Sequence, residues 1–156
     1  MEKACEFVKH YGPLAGRVLM AQIFLTSGYG KLTDFAGTAG FMASRGMPMA
    51  EFLTVGAILF ELGGAVMLVA GWKMRWGALL LILFTVPATL IFHNFWAADA
   101  AQYQSQLTHF MKNVAMIGGL LYMMAFGAGP LSLDKMKDAH HPGDTVATPP
   151  RSGGEG

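Results

Sequence analysis

Long runs of apolar residues separated by short polar stretches dominate the pattern of this chain. The hydrocarbon core of a bilayer is about 30 Å thick, and a helix needs about 20 largely apolar residues to cross it. Four runs are of about this length, at residues 13–30, 50–71, 76–96 and 109–128. The pattern therefore predicts an all-α membrane protein with a bundle of four transmembrane helices.

Residues near the ends of the first and third runs favour these boundaries. Pro13 suits the first turn of a helix, because the N–H that proline lacks would have no partner there. Trp76 and Trp96 frame the third run, as expected of tryptophans at a membrane–water boundary. A cleaved signal peptide is the alternative reading of the first run. It is disfavoured because Arg17 and Gln22 interrupt the run and no A-x-A site follows.

The connection between the first two runs, residues 31–49, predicts a short helix lying on the outer membrane surface. Thr33 is its expected N-cap, and Gly46 and Pro48 are expected to end it. Its apolar positions recur at helical spacing and are Phe35, Ala39 and Met42.

This division predicts three regions, two of which are an N-terminal segment at residues 1–12 and the four-helix membrane domain at residues 13–134. Within the membrane domain, residues 97–108 are expected to be a polar outer loop. The third region is the C-terminal tail. Residues 135–156 are rich in proline, glycine and polar side chains, so we expect a disordered tail.

The positions of the lysines and arginines predict the orientation, because cytoplasmic loops carry an excess of them. With the N-terminus in the cytoplasm, the inner side has eight of them and the outer side three. The inner set is Lys3, Lys9, Arg17, Lys73, Arg75, Lys135, Lys137 and Arg151, and the outer set is Lys31, Arg45 and Lys112. We therefore expect both termini to face the cytoplasm.

Composition agrees with a lipid environment and excludes several kinds of chemistry. The chain is 53% hydrophobic and 13% charged, whereas an average soluble domain is roughly 25% charged. A net charge of +1 gives no reason to expect nucleic-acid binding. Cys5 is the single cysteine, so an internal disulfide, a CxxC pair and a cysteine-rich metal site are excluded. We expect no metal site.

Polar residues within the runs are the candidate functional residues, because a charged side chain at mid-helix costs about 2.5–3.5 kcal/mol. Glu61 lies about 15 Å from either end of its run, at the centre of the bilayer. Gln22, Pro87 and the pair Gly118-Gly119 fall near the same level, which predicts a cavity centred on Glu61. The candidate ligand-binding residues are Glu61, Arg17, His93, Lys112, Asn113 and Gln22.

Several states remain open for Glu61. It is either protonated and neutral, or paired with Arg17, whose Cα lies about 9 Å nearer the cytoplasm by helical rise, or reached by Lys112. Two roles are open as well. Glu61 either forms a purely structural ion pair that fixes the order of the helices, or is a carboxylate that handles protons or a ligand. Lys31 is assigned to snorkelling toward lipid headgroups.

Several interpretations are open for the histidines. His93, at an aromatic helix end, is either a hydrogen-bonded interface residue, or a proton donor or ligand-binding group at the mouth of an outward-facing pocket. His93 and His109 are also a candidate pair of haem ligands. They lie too near the membrane surface for a buried macrocycle, and no c-type attachment motif is present.

Several short motifs follow one another over about residues 13–134. They are Gly16-Arg17, Phe24, Gly28-Tyr29-Gly30-Lys31-Leu32, Gly46-Met47-Pro48, Glu61-Leu62-Gly63-Gly64, His93-Asn94-Phe95-Trp96, Lys112-Asn113 and Gly129-Pro130-Leu131-Ser132-Leu133-Asp134. In their order and spacing, these motifs resemble the DoxX family of small bacterial inner-membrane proteins, which implies a location in the bacterial inner membrane.

The resemblance implies a membrane subunit associated with redox chemistry. The family name comes from a likeness to the membrane subunit of an archaeal thiosulfate:quinone oxidoreductase, and some members look like membrane partners in redox-stress complexes. Thiol-redox membrane enzymes of similar shape use cysteines that this chain lacks. Fold likeness alone is weak evidence for function.

Three functions are compatible with these residues and with the resemblance. The leading hypothesis is a ligand-binding membrane subunit that holds a quinone or a sulfur compound for a redox partner protein, with no built-in cofactor. The alternatives are a structural assembly subunit and a small transporter, the latter requiring a homo-oligomer to provide room for alternating access. Because no nucleophile–base pair or cofactor motif is visible, we favour a non-catalytic subunit over a stand-alone enzyme.

Overall fold

The computed structural model describes residues 1–139, and in this part of the chain every regular element is helical. Six α-helices and one short 3-10 turn follow one another. Their bounds are α1 Glu2–Thr33, α2 Phe35–Ser44, α3 Ala50–Ala70, α4 Met74–Phe92, the 3-10 turn Phe95–Ala97, α5 Ala100–Phe126 and α6 Leu133–Ala139.

The second and third predicted runs correspond closely to helices. The run at 50–71 becomes α3, which ends where Gly71 adopts a left-handed conformation with φ 63°. Its N–H donates back to the carbonyls of Leu68 and Met67, which is the common way for a glycine to close a helix. The run at 76–96 becomes α4 and the 3-10 turn.

The first and fourth helices are longer than predicted. Helix α1 begins at Glu2, so residues 2–12 belong to it and Pro13 lies inside the helix rather than in its first turn. Helix α5 begins at Ala100, and most of the expected loop at 97–108 is therefore helical. The polarity of these stretches indicates contact with water, which does not prevent a helix from continuing.

Helix α2 forms where a short helix was expected, but its cap is a different residue. The Asp34 carboxylate accepts a hydrogen bond from the Gly37 N–H at 3.1 Å. The Thr33 hydroxyl instead donates to the α1 carbonyls of Tyr29 and Gly30. A carboxylate is a better N-cap acceptor at the positive end of a helix, so the assignment of Thr33 as the cap was wrong.

The predicted tail is partly helical, because α6 includes residues 135–139. The prediction of disorder is therefore wrong for these residues. The rest of the expected tail, residues 140–156, lies outside the described residues.

The long helices pack in chain order, α1 on α3, α3 on α4 and α4 on α5, while α2 lies against α3. Glycines allow the closest approach. A Cβ added to Gly64 would lie 2.7 Å from Leu81 Cγ and 3.0 Å from the Gly77 carbonyl oxygen. A Cβ on Gly77 would lie 2.7 Å from Met67 Cβ. Small residues at such contacts let two helix backbones meet.

The outside of this assembly is apolar and part of its inside is polar. Large apolar side chains such as Phe52, Leu59 and Phe126 are exposed. The buried polar or charged residues include Arg17, Thr54, Glu61, Thr85, Thr89, Asn113 and Ser132. Helix α3 and the segment Met74–Ala97 are long and apolar enough to cross a membrane by length and composition.

Candidate functional site

A cavity of about 560 Å³ lies among α1, α3, α4 and α5 and is roofed by α2. It lies toward the end of the molecule where α1 ends and α3 begins, which we call the α2 end. The opposite end, which carries α6, is called the α6 end. The charged, amide and imidazole side chains that line the cavity are Lys31, Asp34, Glu61, His93, Lys112 and Asn113.

An ion pair between α1 and α3 forms one side of the cavity. The Lys31 ammonium lies 2.9 Å from Glu61 Oε2 and 3.3 Å from Oε1. It also donates to the Ser27 hydroxyl at 2.6 Å, one turn back along α1. The Glu61 side chain is 2% exposed and that of Lys31 20%, so the carboxylate is enclosed while the ammonium reaches the opening.

Gly28 makes this pairing sterically feasible. A Cβ at this position would lie 2.7 Å from Leu62 Cδ2 and 3.4 Å from Glu61 Cβ. The absence of a side chain lets α1 approach α3 closely. Glu61 therefore faces the Gly28 level of α1, where Ser27 directly precedes Gly28 and Lys31 follows it by three residues.

Helix α5 supplies the opposite side of the cavity. The Asn113 amide, 8% exposed, donates to the Thr89 hydroxyl at 3.0 Å. Thr89 and Thr85 in turn donate to carbonyls of their own helix, those of Thr85 and Leu81, each at 2.6 Å. This chain of hydrogen bonds holds Asn113 in place, whereas the adjacent Lys112 lines the cavity with no hydrogen-bond partner found among the described residues.

His93 lies at the rim of the cavity, at the end of α4. Its Nδ1 is 3.1 Å from Gln106 Oε1, and its ring stacks on that of His109 with centroids 5.1 Å apart and an interplanar angle of 25°. The two rings are therefore in direct contact. Within residues 1–139, no group of three or more His, Cys, Asp or Glu side chains is placed to hold a metal ion.

Two of the residues expected at the cavity lie elsewhere. Arg17 is buried at the α6 end, where its guanidinium donates to the Leu131 carbonyl and packs against Gly71. Gln22 is exposed on the outer surface of α1. The structure thus brings Glu61, His93, Lys112 and Asn113 around one cavity and leaves Arg17 and Gln22 outside it.

The pairing of Lys31 with Glu61 was not predicted from the sequence, from which Lys31 was assigned to headgroup contact alone. A signal was available, because Ser27 and Lys31 are four residues apart and Gly28 lies between them. Residues at this spacing share one face of a helix. A small residue, a hydroxyl and an ammonium on one face indicate a polar helix contact rather than a lipid-facing surface.

The chain is similar to several known proteins. A family model described as DoxX matches residues 12–94. Inner membrane protein YphA of Escherichia coli (strain K12) is 32% identical over 122 residues, which cover 78% of this chain and 87% of that protein. Inner membrane protein YqjF of the same organism is 34% identical over 125 residues, which cover 80% and 91%.

A more distant match is to a protein of a eukaryote. The Surfeit locus protein 4 homolog of Schizosaccharomyces pombe is 27% identical over 129 residues, which cover 81% of this chain but 38% of that longer protein. No solved structure matches the chain significantly.

Proposed function

This chain belongs to the DoxX family of membrane proteins, and from that premise we propose that its cavity binds a quinone or a small sulfur compound for a redox partner protein. In this proposal, the chain is a non-catalytic membrane subunit. The partner carries the electrons, and the cavity holds and orients the ligand.

The proposed membrane arrangement has four spans, formed by α1, α3, α4 and α5, with α2 lying at the surface. Helices α3 and α4 have the length and apolarity that a span needs. Helices α1 and α5 are less apolar because they carry Arg17, Lys112 and other polar residues. Arg17 points inward, and the exposed faces of both helices carry large apolar side chains such as Leu19 and Leu121.

The proposed location is the bacterial inner membrane, with the α6 end and both termini in the cytoplasm. Two relatives are named inner membrane proteins. The α6 end carries Lys73, Arg75, Lys135 and Lys137, as expected for the side of the membrane that retains basic residues.

The observation that carries the proposal is the Lys31–Glu61 ion pair beside an open space that Lys112 also lines. Charges within a membrane-embedded bundle are costly and tend to mark functional sites. A pair that served packing alone would be replaceable by apolar residues. Here the charges border a cavity of about 560 Å³, a size typical of small-molecule sites.

The chemistry of the lining suits a ligand with electron-rich oxygens. Lys112 and Lys31 are hydrogen-bond donors without acceptor atoms, and the Glu61 carboxylate is an acceptor. A quinone carbonyl or a sulfur oxyanion accepts from the ammonium groups, while a quinol hydroxyl donates to the carboxylate. The ammonium of Lys112 is the more available donor, because Lys31 is already engaged by Glu61 and Ser27.

The test measures ligand retained by native protein. We would purify the protein in a mild detergent and extract its bound small molecules. Mass spectrometry would then quantify the quinones and sulfur anions per protein. Lys112→Gln should lower retention about tenfold or more, because a hydrogen bond to a charged group contributes about 1.5–3 kcal/mol. Lys135→Gln, which removes an exposed lysine at the α6 end, is the matched control.

Two results would overturn the proposal. One is wild-type protein that carries no ligand of either class above the detergent blank. The other is equal retention by the Lys112→Gln and Lys135→Gln variants.

A structural assembly subunit is the second candidate, and Arg17 is the observation that favours it. This side chain is 1% exposed and joins α1 to the segment before α6 through the Leu131 carbonyl. A charge with that role serves packing. If Glu61 has a similar role, Glu61→Gln should reduce recovery of a partner complex, and no ligand should be retained by the wild type.

A further inference from the structure

A second groove of about 460 Å³, lined by apolar side chains, lies between α3 and α4, beneath α2. Every residue that lines it is aliphatic, aromatic, methionine, alanine, glycine or proline. Its outer wall includes Phe52 and Leu83, which are 69% and 54% exposed. In the proposed membrane arrangement, this groove opens sideways to the lipid.

The groove and the polar cavity share one wall. The residues common to both are Met42, Phe84, Ala88 and Phe92. The three on α4 are spaced four residues apart and therefore lie along one face of that helix. Ala88 has the smallest side chain of the four, a single methyl group, and it lines both compartments. The charged compartment and the apolar compartment therefore adjoin at a position with little side-chain bulk.

Aromatic rings lie on both sides of Ala88 along α4. The Lys31 ammonium lies 5.6 Å from the centroid of the Phe84 ring, and Phe41 stacks on Phe92 with centroids 5.6 Å apart. A flat unsaturated head group can pack against such rings while its oxygens face Lys31 and Lys112. The part of the ligand beyond the wall meets apolar side chains.

We infer that the ligand is amphipathic, with a polar head in the cavity beside Lys31, Glu61 and Lys112 and an apolar chain that passes Ala88 into the groove. The inference rests on the proposed function and narrows its ligand class. A quinone with an isoprenoid chain has this build, whereas a sulfur oxyanion has no chain to fill the groove. Such a ligand reaches the site laterally from the bilayer, between α3 and α4.

Gly56 offers a way to fill the groove without disturbing the helix packing. It lies on α3 in the groove wall, and a Cβ added there meets no atom within 4 Å. Gly63 lies on the same helix, is exposed, and has the same open space, but it lines neither compartment. Gly56→Leu and Gly63→Leu therefore make a matched pair that differs in the groove alone.

The experiment compares probes of different length by isothermal titration calorimetry on the full chain in a mild detergent. The probes are the ubiquinone headgroup without a side chain, the same headgroup with a two-isoprene side chain, and thiosulfate. For the wild type, the side chain should tighten binding about tenfold or more, because burial of its apolar groups in the groove is favourable. Gly56→Leu should lose that advantage and keep the headgroup affinity, while Gly63→Leu should behave as the wild type.

The outcomes separate this inference from the proposed function. Equal affinity of wild type for both quinones, or tight binding of the longer probe by Gly56→Leu, overturns the inference. Binding of thiosulfate and of neither quinone also overturns it, yet leaves the proposed function standing. Binding of none of the three probes overturns both. Ala88→Leu, which thickens the shared wall, provides a second variant with the same expected loss should Gly56→Leu fail to fold.

Discussion

The Lys31 ammonium and the Glu61 carboxylate, 2.9 Å apart, join the end of α1 to the middle of α3. The two partners differ in their access to water, since the carboxylate is 2% exposed and the ammonium side chain 20%. Loss of one partner therefore has a different consequence from loss of the other.

We predict that Lys31→Met destabilises the protein more than Glu61→Gln. Removing the lysine leaves a buried carboxylate without a cation, and breaking a buried pair in this way costs about 3–5 kcal/mol. Removing the carboxylate leaves an ammonium that can turn toward the cavity opening. Thermal unfolding in detergent should show the larger fall in Tm for Lys31→Met.

The double variant Lys31→Met/Glu61→Gln tests the pairing itself. It should be more stable than Lys31→Met alone, because neither charge then remains. Strictly additive losses in the double variant would show that the two side chains do not interact.

Close packing of α3 on α4 gives a second prediction. Gly64→Leu should lower Tm strongly, since a Cβ there would lie 2.7 Å from Leu81 Cγ and 3.0 Å from the Gly77 carbonyl oxygen. Gly63→Leu adds the same side chain one residue away, where no atom lies within 4 Å, and should leave Tm nearly unchanged. Equal Tm values for the two variants would contradict the close approach at Gly64.

The membrane orientation can be read from the natural cysteine. Cys5 is exposed near the start of α1, so a membrane-impermeant maleimide should label it in inside-out vesicles and not in spheroplasts. The variant Cys5→Ser with Ser44→Cys moves the thiol to the exposed end of α2. This variant should be labelled in spheroplasts and not in inside-out vesicles. Labelling of both thiols from the same side of the membrane would contradict the four-span arrangement.

Asp134 gives a prediction for the α6 end. Its carboxylate accepts hydrogen bonds from the N–H groups of Lys73 at 2.7 Å and Met74 at 3.1 Å, and so caps α4 from a distant part of the chain. Asp134→Ala should cost about 0.5–2 kcal/mol for the lost cap and also expose the α6 segment to protease.

Asp99→Ala is the control for that prediction. Asp99 caps its own helix through the Gln102 N–H, so its loss should lower Tm without changing cleavage at α6. Equal protease sensitivity of the two variants would show that Asp134 does not hold the segment.

The resemblance to the DoxX family is confirmed, and the all-helical class was predictable, because apolar runs of about 20 residues have few structural solutions in lipid. The ends of α1, α2 and α5 were not predictable in the same way. Outside the apolar runs, polarity reports contact with water, and both a loop and a helix satisfy that condition.

The sequence by itself determined which polar side chains interrupt the apolar runs, since both are read directly from the order of residues. Only the tertiary structure decided which of them meet, because partners depend on the rotation and the offset of each helix. Counting residues from the ends of the apolar runs placed Gln22 at the height of Glu61. In the structure Glu61 instead faces Gly28, where an added Cβ would lie 3.4 Å from Glu61 Cβ. That offset joins Glu61 to Lys31 and leaves Arg17 to bind the Leu131 carbonyl at the other end.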